Sequence, residues 1–120
     1  MFENAYKEKA SLAYLEYVKS CSSLLTMVEA EIRLAKANGK DYGIAVLDDR
    51  RRRYTEEIER ADKLIGLLDD TVADVLRRQY IEGQSQERIA EEIGYVVRTV
   101  QRFSRDGRAE LYEHLPLEFR

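Results

Sequence analysis

The chain is poor in residues that interrupt helices and in residues that cross-link a fold or bind metals. Its 120 residues include one proline, six glycines, one cysteine and one histidine. A lone cysteine, Cys21, excludes an internal disulfide and fits a reducing cytoplasm. A lone histidine, His114, has no second histidine or cysteine to complete a zinc-type ligand set, so neither a metal nor a cofactor is expected. No apolar run approaches the roughly 18 residues that would span a bilayer, and no membrane partner is expected. The first residues, Met1-Phe-Glu-Asn-Ala-Tyr-Lys-Glu-Lys, are polar with an early acid, unlike a secretory signal. Paired carboxylates occur at Asp69-Asp70 and Glu91-Glu92. No nucleophile, histidine or glycine-rich phosphate loop accompanies them, so they read as a helix terminus and a helix surface, and no enzyme is expected.

What the chain does have is charge and helical spacing. Charged residues make up 36% and apolar residues 44% of it, which suits an all-α protein with much wet helix surface. A first segment, about Phe2 to Ala37, places Tyr6, Ala10, Ala13, Tyr17, Cys21, Leu24, Val28, Ile32 and Ala35 three or four residues apart. Asn38-Gly39 supplies its stop. A second segment, about Val46 to Leu68, carries Leu47, Arg51, Tyr54, Ile58, Ala61, Ile65 and Leu68 in a heptad-like alternation. The short connection predicts a long N-terminal antiparallel helical hairpin over residues 1–70, used for protein contact or dimerisation. Tyr6, Tyr14 and Tyr17 lie close together on the first segment and suggest an aromatic patch. Arg50 to Arg53 offer a second DNA or RNA patch, but four consecutive residues circle a helix, and pairs of Arg52 with Glu56 and Arg53 with Glu57 are expected on a solvated face.

Residues 71–120 follow a different pattern. Thr71 and Asp74 resemble a capping box ahead of a helix from about Val72 to Glu82, closed by Gly83. Ser85 is a good cap for a short helix from Gln86 to Ile93, with Glu87 in its first turn. Gly94 ends that helix. A last helix is predicted from Val97 to His114, stopped by Pro116. Two helices that cross steeply through a tight turn need a small residue at the contact, and Ala90 is there. They need a turn residue that accepts positive φ, and Gly94 is there. Ile89, Ile93, Tyr95, Val100 and Phe103 have the offsets to point inward, and Val72, Val75, Leu76 and Tyr80 can close the core. Together these requirements describe a helix-turn-helix.

The net charge of −3 looks wrong for a DNA binder, whose affinity rests on neutralising phosphates. The field at the docking face matters more than the sum. From Val97 to Arg108 the charges are Arg98, Arg102, Arg105 and Arg108 against Asp106 alone.

The stretch Leu76-Arg-Arg-Gln-Tyr-Ile-Glu-Gly-Gln-Ser-Gln-Glu-Arg-Ile-Ala-Glu-Glu-Ile-Gly-Tyr, followed by Arg98-Thr-Val, resembles the fourth region of bacterial sigma factors. It is more similar still to small sigma-like proteins of phages and prophages, in which a charged helical hairpin precedes a C-terminal helix-turn-helix. The resemblance spans about Val72 to Leu111. It implies a transcription regulator that binds double-stranded DNA, with a reading helix beginning at Val97. By position, Val97, Arg98, Gln101 and Arg102 would face base edges, and Arg105 would reach a phosphate. The residue types suit this, since arginine pairs bidentately with guanine and glutamine with adenine. Ser85, the amides around Gln86, and Thr99 would contact the DNA backbone. The chain departs from the family at Val96, where Ser, Thr or Asp usually caps the reading helix. The resemblance also implies a contact with RNA polymerase through an apolar groove near Tyr80 and Ile81. A complete sigma factor is not expected, because 120 residues hold no second, promoter-melting domain.

Other readings of the same residues stand beside this one. A homodimer through the hairpin would present two reading helices. A small terminase-like packaging factor also joins a helix-turn-helix to long helices. A protein-interaction module would keep the fold but spend Arg98, Arg102 and Arg105 in salt bridges to Asp106, Glu110 and their neighbours.

Overall fold

The computed structural model describes residues 2–120, which are all-helical and contain no strand. α1 spans Phe2–Ala37 and α2 spans Ile44–Ile65. α3 is short, Asp70–Leu76, and passes into a π-helical turn, Arg77–Ile81. α4 spans Gln86–Ile93 and α5 spans Val97–Leu111. Two 3₁₀ turns, Tyr112–His114 and Leu117–Phe119, complete the described residues. No described helix is long and apolar enough to cross a membrane.

α1 ends as its sequence requires. Gly39 takes a positive φ of 67°, and the Lys40 amide reaches back to the Ala35 carbonyl at 2.9 Å. Its buried stripe differs from the expected one. The side chains that go inside are Tyr14, Val18, Cys21, Val28 and Ile32, whereas Ala13, Tyr17 and Leu24 stay exposed. Apolar residues stand side by side at Tyr17-Val18 and Leu24-Leu25, so spacing alone does not choose between two faces a hundred degrees apart. Contact with α2 selects the second member of each pair. In its first half α1 is also covered by α5 and the π turn, so Ser11 and Leu15 are buried as well.

α2 begins two residues and ends three residues earlier than expected, because the chain turns at Gly66 and Leu68 enters the core from outside the helix. Along its seam Ala61 and Ile65 are buried, Tyr54, Ile58 and Leu47 are half-buried, and Arg51 is exposed. The arginine run pairs backward rather than forward. Arg51 meets Asp48 at 2.7 Å, and Arg52 and Arg53 both lean on Asp49, in place of Glu56 and Glu57. Two acids one turn earlier are the nearer partners, and such exposed pairs add little stability.

The main core joins both stretches of the chain. Tyr14, Leu15 and Val18 of α1 pack with Ala61 and Ile65 of α2, Leu76 of α3, Tyr80 of the π turn and Leu111 of α5. Each such fully buried aliphatic contributes about 1.5–3 kcal/mol. The chain end returns to this core. Phe119 stacks edge-on against Tyr14 with ring centroids 4.8 Å apart, touches Tyr17 at 5.6 Å, and Tyr112 meets Tyr6 at 5.8 Å. The expected aromatic patch is therefore a seat for C-terminal rings, and Tyr14 is core.

The predicted helix Val72–Glu82 is two structures. Asp69, not Thr71, precedes the first turn, and Asp74 accepts from the Arg78 side chain instead of capping the helix. Beyond Leu76 the ladder widens, with the Glu82 amide bonded to the Arg77 carbonyl five residues back at 3.0 Å. This wider turn lets Tyr80 enter the core while its neighbour Gln79 faces α5.

A second, smaller core holds α4 and α5 against α3. Val75, Ile89, Ala90 and Val100 are buried there, with Ile93, Val97 and Phe103 packed around them. Gly94 ends α4 at φ 79°. Tyr95 lies edge-on to Phe103 with centroids 5.3 Å apart, but it remains exposed rather than inward.

α5 meets α3 tightly at Gly107. A Cβ there would sit 2.5 Å from Cγ1 of Val72 and 3.0 Å from Cδ1 of Leu76. Ala is the better helix former by about 1 kcal/mol, yet overpacking a tight contact costs about 1–3 kcal/mol. Gly107→Ala is thus expected to lower unfolding stability by ~1 kcal/mol in a denaturant titration, and a gain would show that the contact is loose. Cys21 is 2% exposed, and burial pushes its thiol above the ordinary cysteine value. Its alkylation rate should be negligible in the native protein and should rise together with denaturant-induced unfolding.

Candidate nucleic-acid interface

α5 has two faces four residues deep. Val100, Ser104, Gly107 and Leu111 are buried, at spacings of four, three and four. Arg98, Gln101, Arg102 and Arg105 fall on the other side at spacings of three, one and three, and all four are exposed. This stripe follows from helical periodicity once the inner face is fixed.

The arginines of this region divide into two kinds. Arg108 turns inward, with its side chain only 13% exposed. It donates to Glu8 at 2.6 Å, to the Ser104 hydroxyl at 2.7 Å and to the Tyr80 hydroxyl at 3.2 Å. Ser104 in turn donates to Gln79 at 2.8 Å. Burial works against the charge of Arg108, but the bonds to Glu8 and Tyr80 outweigh it, so its pKa lies above the ordinary arginine value and it stays protonated. Arg108 is therefore a structural cation, not part of a basic surface. Among the described residues neither Arg98 nor Arg102 makes an ion pair. Arg105 has only a loose one, 3.8 Å to Asp106, with both side chains 62% exposed. Arg102 also lies 5.7 Å from the ring centre of Phe103.

Six side chains line one depression of about 400 Å³: Val96, Arg98, Thr99, Gln101, Arg102 and Arg105. Ser85 and Gln86 lie outside it, at the start of α4. The Ser85 hydroxyl oxygen caps that helix by accepting from the Arg88 amide at 3.2 Å, which leaves its proton free to donate. The two valines at the start of α5 take opposite positions. Val97 is half-buried and packs on the second core, while Val96 is 68% exposed. The resemblance placed Val97 at the base edges and Val96 at the position of a missing cap. The signal for Val96 was available in its type, an apolar residue in a turn where a polar one stabilises.

Val96 has the extended backbone of a capping residue, φ −77° and ψ 155°, but offers no side-chain acceptor. The first amides of α5 are left to solvent or to an anion. A polar residue there would contribute about 1 kcal/mol. The α4 side is braced by a separate network. Arg78 bridges Asp74 at 3.0 Å and Glu92 at 2.5 Å, and Arg88 also donates to Glu92 at 3.0 Å. Among the described residues no group of three His, Cys, Asp or Glu side chains could hold a metal ion.

No protein-family model matches the chain, and neither a curated protein nor a solved structure does.

The Arg88 hydrogen bond, with the Arg78 charge beside it, holds the Glu92 carboxyl below the ordinary glutamate value of 4.5. The folded value is the lower one, so this contribution is complete above pH 4.5 and is lost as pH falls through the folded value. Unfolding midpoints of wild type and Glu92→Gln should differ near neutral pH and converge on acidification below it. The difference should also shrink with salt, because the pair is solvent-accessible. A constant difference across that range would mean the carboxylate charge plays no part.

Proposed function

We propose that this protein is a sequence-specific DNA-binding transcription regulator of phage or prophage type. In this reading α4, the Gly94 turn and α5 form a helix-turn-helix resembling sigma region four, and α5 enters the major groove. One observation carries it: Arg98 and Arg102 lie with Gln101 and Arg105 on one exposed face and are not consumed by acids. An α-helix fits the major groove, and these side chains suit guanine and adenine edges. Arg105, Thr99, Ser85 and the free amides at the start of α5 suit phosphates. The absence of ion pairs at Arg98 and Arg102 counts against the interaction-module reading, which needed them.

The hairpin of α1 and α2 is read as the protein-contact arm. Beyond the main core it carries Met27, Leu34 and Val46, all more than half exposed, and exposed apolar side chains of this kind suit a protein partner. RNA polymerase or a second copy of the chain would fit. A two-fold dimer would set two reading helices on half-sites about 34 Å apart. A ring in solution would favour the terminase-like reading instead, and sedimentation distinguishes the two.

DNA binding is tested by selecting bound fragments from genomic DNA at fixed salt with wild type and an Arg98→Ala/Arg102→Ala variant. Wild type is expected to enrich a defined site. The variant should bind that site about 30-fold more weakly or worse, since each bidentate arginine–guanine pair is worth ~1–3 kcal/mol. Equal enrichment by both proteins would remove α5 as the reading helix. No enrichment by either, even at low salt, would remove DNA binding itself.

A further inference from the structure

Val96 is a poor residue for its position and a well-placed one for another purpose. It precedes the first helical residue of α5 and has no side-chain acceptor for the first-turn amides. Serine, threonine, aspartate and asparagine stabilise a helix there, and valine is among the least favourable choices. The core recovers nothing from it. Its neighbour Val97 packs on the second core, whereas Val96 itself is exposed over two thirds of its surface. Yet Val96 lines the same depression as Arg98, Gln101 and Arg102. Its two methyl groups therefore stand beside the side chains best suited to guanine and adenine. The one apolar group on a major-groove base edge is the 5-methyl of thymine.

We propose that Val96 is a specificity-determining residue, its methyl groups packing on the 5-methyl of a thymine next to the bases that Arg98 and Gln101 face. This rests on the reading of α5 as a major-groove helix and adds a thymine to its target. The sequence then gives up helix-cap stability in exchange for a base contact. A 5-methylcytosine at the same place would offer the same methyl group and should be accepted in thymine's stead.

The test uses duplexes selected by the full-length protein from a randomised pool. Each thymine of the selected site is replaced in turn by deoxyuridine, which removes only the methyl group. Binding by wild type and by Val96→Ser is followed by fluorescence anisotropy. One position is expected at which uracil weakens wild-type binding about fourfold, the worth of one buried methyl group. Val96→Ser should be indifferent at that position, should keep its dependence on the guanines, and should melt at a higher temperature than wild type because the cap is restored. Wild-type binding that ignores uracil at every position would overturn the proposal. So would a Val96→Ser variant that retains the same sensitive thymine. Failure of wild type to bind any duplex would overturn the parent reading of α5, and this one with it.

Discussion

Gly107 lets α5 lie against α3 at a separation where any Cβ would press on Val72 and Leu76, and Arg108, the next residue, ties α5 to two further elements. Its guanidinium reaches Glu8 on α1 and Tyr80 on the π turn, and shares Ser104 with Gln79. A buried guanidinium without these partners would be strongly unfavourable. The helix can therefore rotate neither toward α3, which is full, nor away from it without stripping the cation of its acceptors. The inner face of α5 is held from two sides, and the outer face follows from it. That Arg98, Gln101, Arg102 and Arg105 share one exposure is a consequence of what happens at Gly107 and Arg108.

The same division reconciles a net charge of −3 with the exposed basic face of α5. Many of the cations are spent within the molecule. Arg51, Arg52 and Arg53 lean on Asp48 and Asp49, Arg77 on Asp62, Arg78 and Arg88 on Glu92, and Arg108 on Glu8. Arg98 and Arg102 stand apart from all of these. An acidic total with two unspent arginines side by side gives a local field opposite in sign to the whole. On the proposed DNA-binding reading, such a protein would be held off DNA by its overall charge and drawn to it at this face, which would favour register over indiscriminate adhesion.

Helix boundaries set by glycine or by a capping serine were legible in the sequence. Asn38-Gly39, Ser85 and Gly94 each act locally, and their effect does not depend on what packs nearby. The small core of Ile89, Ala90 and Val100 was legible too, because these residues are separated by fixed helical offsets. The stripe on α1 was not, since Tyr17-Val18 and Leu24-Leu25 each offer two apolar neighbours and only α2 decides between them. The π turn at Arg77–Ile81 leaves no trace in periodicity, because it is a change in hydrogen-bond ladder that suits Tyr80 and Gln79 to their separate partners. Arg108 illustrates the limit most clearly. It counted as part of a basic segment until Glu8, distant in the chain, proved to be its acceptor. The opposite exposures of Val96 and Val97 have the same origin, since only Val97 is turned onto the second core.

The bond between Glu8 and Arg108 spans 100 residues of chain, and this has a kinetic side. Closing a loop of that length costs about 4 kcal/mol in chain entropy, whereas α1 and α2 meet through a short connection. Contacts near in sequence form faster than distant ones, so α1 can pack on α2, and α5 on α3 and α4, before α5 is tied to α1. The orientation of the arginine face is then among the last things the folding chain acquires. A chain caught before that step would hold the same four side chains only through α3 and the second core.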